Sequence, residues 1–87
     1  MMKKTLYEAL KEREQELWER LEDVRKRKYA LKEAIMKGVI ADEKKRELAW
    51  ERVEELHAEE VQLEDELDEV WQLMSEIEAE MEVSEDA

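Results

Sequence analysis

The chain has 87 residues and a formal net charge of −12; 48% of its residues are charged, and it has neither proline nor cysteine. This length allows one small domain, residues 1–87. The absence of cysteine excludes a disulfide framework and any thiolate ligand or nucleophile. It fits a reducing compartment, so we expect a cytoplasmic protein. No apolar run is long enough to span a membrane.

The first predicted element is a helix over residues 3–37. Its apolar side chains recur at alternating spacings of three and four, which is typical of a coiled-coil seam. The ten seam positions, seven of them apolar, are Lys3, Tyr7, Leu10, Glu14, Leu17, Leu21, Val24, Lys28, Leu31 and Ile35.

A turn is predicted at residues 38–41. Gly38 can adopt the left-handed conformation that ends a helix, and the β-branched Val39 and Ile40 are poor helix formers. Asp42 can cap the helix that follows. An alternative is one continuous helix about 120 Å long, because the shift of the seam across the turn could be absorbed as a stutter.

The second predicted helix covers residues 42–83, followed by a frayed acidic tail at 84–87. Nine of its eleven seam positions are apolar: Arg46, Ala49, Val53, Leu56, Glu60, Leu63, Leu67, Val70, Met74, Ile77 and Met81. The predicted fold class is therefore all-α, an antiparallel two-helix hairpin. A hairpin this small encloses little core, so we expect it to self-associate, most simply into a four-helix bundle.

Charge is distributed unevenly. Residues 25–52 hold ten basic and five acidic side chains, whereas residues 53–87 hold fifteen acidic ones and neither lysine nor arginine. The basic segment could contact phosphates, but the net charge repels nucleic acid and argues against direct binding. The acidic segment could instead imitate nucleic acid and bind a basic protein.

Glu54 and His57 have the Glu-x-x-His spacing of carboxylate-bridged di-metal sites in helical bundles. Such ligands must point inward, but the inward residues here are Val53 and Leu56. We therefore expect a surface histidine and no metal or other cofactor. Catalysis by paired carboxylates needs a pocket that separates their pKa values, and a hairpin offers none. We expect no enzyme.

The flanks of the seam favour an antiparallel homodimer with the tips at opposite ends. Two-fold interfaces must be self-complementary. Reversal about residues 60/61 brings Trp50 to Trp71 and His57 to Glu64 of a second copy. Reversal about Leu21 brings Glu14 to Lys28, and we expect Leu21 and residue 60 to lie at the same height. The candidate interface residues are Glu14, Trp18, Lys28, Trp50, His57, Glu64 and Trp71.

Two functions are consistent with these patterns. The first is a non-enzymatic structural or interaction protein, an oligomeric coiled-coil hairpin. The alternative is an acidic nucleic-acid mimic, of the kind that phages encode, that blocks the basic cleft of a nucleic-acid-binding enzyme. The two differ in whether the protein captures a basic partner in a salt-sensitive way.

Overall fold

The computed structural model describes the backbone of residues 5–86 and the side chains of residues 5–80. Two helices, α1 (Leu6–Met36) and α2 (Glu43–Asp86), pack against each other as a hairpin. The molecule measures 67 × 27 × 16 Å, which excludes one continuous helix. The predicted all-α hairpin is confirmed. Neither helix offers, within residues 5–86, an apolar stretch that could cross a membrane.

Helix α1 begins at a side-chain cap. The Thr5 hydroxyl accepts a hydrogen bond from the backbone N–H of Glu8 at 3.2 Å, which satisfies one of the amides that have no partner within the helix. The observed start at Leu6 is three residues later than predicted, and the predicted seam residue Lys3 lies outside the described residues.

The link between the helices is closed by Gly38, as predicted. Its φ of 73° is left-handed. The N–H of Gly38 donates to the carbonyl of Ile35, and the N–H of Val39 donates to that of Ala34. These two bonds form a Schellman motif, which satisfies carbonyls at the end of α1.

Helix α2 begins after Asp42, whose carboxylate accepts a hydrogen bond from the N–H of Lys44 at 2.9 Å. This confirms the predicted cap. The helix continues to Asp86 and so includes most of the predicted frayed tail; Ala87 lies outside the described residues.

The core follows the predicted seam. Leu17, Leu21 and Leu67 are almost fully buried, and most of the other buried side chains gather around them. Burying a large aliphatic side chain contributes about 1.5–3 kcal/mol, so this single stripe dominates the stability of the hairpin. The buried side chains are Leu17, Leu21, Val24, Ala49, Val53, Leu56, Leu63, Leu67, Val70 and Met74.

The register of the two helices differs from the expected one. Glu60 lies 3.0 Å from Lys28 Nζ and 3.9 Å from Arg25 Nε. The expectation that residue 60 lies level with Leu21 is therefore wrong by about six residues, or roughly 9 Å along the helix. This difference in register arises from the link, residues 37–42. The link joins α1 to a helix that begins beyond the level of Met36 instead of directly opposite it.

Candidate functional site

Cross-helix contacts identify one face of the hairpin. The rings of Trp18 and Trp71 pack with their centroids 6.0 Å apart. Two α1 turns nearer the link, Arg25 Nη2 lies 3.0 Å from Glu64. Residues seven apart lie on the same side of a helix, so these contacts place the stripes that contain them on one face. We call it the tryptophan face; its residues are Trp18, Glu22, Arg25, Tyr29, Lys32 and Met36 of α1 with Trp50, Glu54, His57, Val61, Glu64, Asp68 and Trp71 of α2.

The opposite face has a different character. Arg13 Nη2 bridges there to Glu66 at 3.3 Å. Nearer the link, a shallow concavity is lined by Ala30 and Ala34 between the side chains of Arg27 and Arg52. This face contains no tryptophan, but three exposed leucines lie on it beside the charged and small side chains: Leu6, Leu48 and Leu73.

Exposed apolar side chains concentrate on the tryptophan face. Ten large apolar residues are exposed within the described part of the chain, and six of them lie on this face. Contiguous apolar surface of this kind marks interaction sites more often than scattered residues do. The six residues are Trp18, Tyr29, Met36, Trp50, Val61 and Trp71.

One of the two packed tryptophans, Trp71, is held by a carboxylate on the seam. The indole Nε1–H of Trp71 donates a hydrogen bond to Glu14 Oε2. The tilted ring pair, at 48° between planes, leaves 37% of Trp18 and 39% of Trp71 exposed. A tryptophan with a satisfied N–H and an exposed ring edge is a rigid apolar contact surface.

The charged seam residues have partners within the hairpin. Lys28 pairs with Glu60, and the two side chains are 15% and 12% exposed. Glu14 accepts from Trp71. Neither Glu14 nor Lys28 therefore needs a second copy to compensate its charge, although both lie on the seam as predicted.

His57 lies on the flank, where the sequence placed it. Its Nδ1 is 3.5 Å from Lys28 Nζ, so the ammonium can donate to it if the ring proton is on Nε2. Glu54 is exposed beside it. Among the described residues, no group of three or more histidine, cysteine, aspartate or glutamate side chains could hold a metal ion.

Sequence reasoning missed three residues of the face. Tyr29, Met36 and Val61 are exposed by 75%, 81% and 43%, and none is among the interface residues predicted from the sequence. The available signal was their spacing, because Tyr29 and Met36 follow Trp18 by eleven and eighteen residues, and such steps return to nearly the same side of a helix.

Comparisons of this chain with protein-family models, with curated proteins and with solved structures find no match.

Proposed function

We propose that this chain is a non-enzymatic structural protein whose hairpins pair through the tryptophan face into an antiparallel four-helix bundle. The observation that carries the proposal is the concentration of exposed apolar residues on that face. Covering them with a second copy removes apolar surface from water, and each Å² of it contributes about 25 cal/mol before the costs of association.

The geometry of the face favours opposite directions for the two tips. When two hairpins meet face to face about a two-fold axis perpendicular to their helices, α2 lies against α2 of the second copy. An axis at residues 60/61 places Trp50 beside Trp71 and His57 beside Glu64. Val61, 43% exposed, then lies near the axis and adds apolar contact at the centre.

Charge supports the same alignment. Residues 25–52 carry an excess of five positive charges, whereas residues 53–87 carry fifteen acidic side chains. An antiparallel pair places the basic tip of one hairpin against the acidic half of the other. A parallel pair would align the acidic segments of both copies, which is electrostatically unfavourable.

Cysteine crosslinking tests this arrangement. The chain has no cysteine, so the Trp50→Cys and Trp71→Cys variants each have one thiol. A mixture of the two should form far more mixed disulfide than either forms with itself, and the unmodified protein should sediment at twice the mass of the chain. Preferential self-crosslinking of Trp71→Cys would indicate parallel pairing and contradict the proposal.

A matched control uses the neighbouring residues. Glu51→Cys and Gln72→Cys have the same separation along α2, but their side chains are rotated by about 100° away from those of Trp50 and Trp71. This pair should crosslink poorly. Equal crosslinking of both pairs would indicate nonspecific collision instead of a defined interface.

A second candidate function rests on the outward side of α2. Asp65, Glu69 and Glu76 are exposed there, and none forms an ion pair among the described residues. A basic cleft could bind this row of carboxylates, as the nucleic-acid-mimic alternative requires. If the chain has this function, it should form a complex with a basic nucleic-acid-binding enzyme; added DNA should displace the chain, and added salt should weaken the complex. If no such complex forms, the structural role stands.

A further inference from the structure

Contacts between the two helices determine where the proposed two-fold axis meets α1. Lys28 lies 3.0 Å from Glu60 and 3.5 Å from His57, whereas Arg25 lies 3.0 Å from Glu64 and 3.9 Å from Glu60. An axis at residues 60/61 of α2 therefore passes α1 near residues 26 and 27. The axis does not pass through Leu21, the centre that would place Glu14 beside Lys28 of the second copy. The two α1 helices therefore meet in a different register from the one predicted from the sequence.

This register brings complementary side chains of α1 together. Residues at equal distances on either side of the axis become neighbours across the interface, to within about one residue, or 1.5 Å along the helix. Glu22 then lies beside Lys32 of the second copy, and Trp18 lies beside Met36. Each pairing occurs twice because the interface is two-fold.

Glu22 and Lys32 are suited to such a pairing. Both are exposed, and among the described residues neither takes part in an ion pair or a side-chain hydrogen bond. Their charges are opposite, and no contact within the hairpin would have to be broken.

The surface around Met36 is concave. The concavity lies on α1, its surface is mainly apolar, and its lining residues are Tyr29, Lys32, Glu33, Met36 and Lys37. The exposed edge of Trp18 from a second copy would lie over this concavity, at the level that the axis sets.

We propose that Trp18 of one copy docks in the concavity beside Met36 of the other, and that two Glu22–Lys32 ion pairs fix the antiparallel alignment. This inference rests on the proposed dimer and specifies its α1 side. In a parallel pair, Glu22 would face α2 of the second copy, which has neither lysine nor arginine between residues 53 and 87. The Glu22–Lys32 pairing therefore disfavours the parallel alignment as well as favouring the antiparallel one.

Charge reversal tests the ion pairs. Glu22→Lys and Lys32→Glu should each raise the dimer dissociation constant, measured by sedimentation equilibrium, roughly tenfold, since each places like charges together twice. The double variant Glu22→Lys/Lys32→Glu should return it to within about threefold of the original value. Circular dichroism should show that every variant stays helical.

The control makes the same changes elsewhere on α1. Glu19→Lys and Lys26→Glu alter net charge identically, but they lie on the side of α1 that faces away from both the seam and the tryptophan face. They should change the dissociation constant less than about threefold, which is within the usual effect of a charge outside an interface.

A further variant tests the concavity without disturbing the hairpin. Met36 is 81% exposed, so Met36→Glu should leave the helicity unchanged while raising the dissociation constant at least tenfold. If Trp50→Cys and Trp71→Cys crosslink but the charge reversals and Met36→Glu have no effect, this inference is wrong and the proposed dimer stands. A protein that sediments as a monomer at all concentrations contradicts both.

Discussion

Lys28 and Glu60 are the least exposed ion pair among the described residues, and their energetics differ from those of the surface pairs. Their side chains are 15% and 12% exposed, with 3.0 Å between Nζ and Oε2. Glu60 Oε2 nevertheless lacks a hydrogen bond of good geometry. Desolvation of two charges with incomplete hydrogen bonding offsets much of their attraction. The pair is therefore consistent with the register that the link sets, but it adds little net stability.

Replacing one residue of the Lys28–Glu60 pair should lower the free energy of unfolding more than replacing both. Lys28→Met leaves the Glu60 carboxylate without its closest cation in a mostly buried site, and should lower the free energy of unfolding by about 1–3 kcal/mol. The double variant Lys28→Met/Glu60→Leu should recover most of that loss. Urea unfolding measures both.

The exposed bridge between Arg13 and Glu66 provides the control. Its side chains are 46% and 38% exposed, so Arg13→Met should change the free energy of unfolding by no more than about 1 kcal/mol. The interpretation of Lys28 is wrong if both single variants have the same small effect.

Tyr7 links the open ends of the two helices and gives a pH-dependent signal. Its hydroxyl donates to Glu78 Oε1 at 2.5 Å, and this hydrogen bond raises the pKa of Tyr7 above 10.0, with partial burial and the nearby carboxylates acting in the same direction. Because the folded-state pKa is raised, the associated stability is fully present below about pH 10 and is lost as pH rises through the folded pKa.

An ultraviolet titration can isolate Tyr7, because the chain has two tyrosines. In a Tyr29→Phe background, the phenolate absorbance should appear with a midpoint above pH 10.0. Adding Glu78→Gln should move the midpoint downward, since it removes the negative charge that disfavours phenolate. An unchanged midpoint would show that the hydrogen bond is not formed in solution.

At the scale of the elements, Gly38 is the position where backbone conformation matters most. Its φ of 73° is unfavourable for residues with a side chain. A Cβ placed there would meet nothing within 4 Å, so any cost of substitution is conformational and not steric.

Gly38→Ala should therefore destabilise the hairpin by about 1 kcal/mol, and Gly38→Asn by less, because asparagine tolerates the left-handed region better. Thermal unfolding followed by circular dichroism measures both. As a control, Val39→Ala alters a 73% exposed side chain beside it and should have little effect. Equal stability of Gly38→Ala and the original protein would contradict the Schellman motif.

The elements themselves were predictable from the sequence, whereas their register was not. The seam, the glycine turn and the Asp42 cap depend on local patterns, which a single chain reveals. The pairing of Lys28 with Glu60 depends on the path of residues 37–42. Two seams of similar apolar residues can pack in more than one register with little change in buried area. The apolar pattern therefore does not determine the register.

The candidate face was predictable only in part, for a related reason. Tryptophan is enriched at interfaces, so Trp18, Trp50 and Trp71 can be predicted as interface residues from the sequence alone. Tyr29, Met36 and Val61 become informative only when both helices are superimposed in the correct register, because the face combines stripes from each. The sequence predicts two separate stripes; the packing makes them one surface.

At the scale of the whole molecule, repulsion among the excess negative charges destabilises the folded hairpin. The chain carries a net charge of −12, and α2 holds like-charged pairs one turn apart, such as Asp65 and Glu69. Each such pair costs a few tenths of a kcal/mol. Salt screens this repulsion, since the Debye length falls from about 30 Å at 0.01 M to about 3 Å at 1 M.

The melting temperature should therefore rise between about 0.01 M and 1 M sodium chloride. The variant Asp65→Asn/Glu69→Gln should melt on the order of 2 °C higher at low salt and should respond less to added salt. Gln62→Asn/Gln72→Asn, which changes no charge, should behave like the original protein. A melting temperature that falls with salt would show that attractive ion pairs outweigh the repulsion.

The hairpin connectivity also sets the order in which the molecule can assemble during its own synthesis. Contacts near the link join residues close in sequence, such as Lys28 and His57, 29 positions apart, whereas Tyr7 and Glu78 are 71 apart. Closing a short loop costs less entropy than closing a long one. We therefore expect the helices to join first beside Gly38 and then progressively outward. Trp18 cannot pack against Trp71 until Trp71 has been translated, so the tryptophan face is completed late. Pairing with a second copy therefore follows folding of the hairpin.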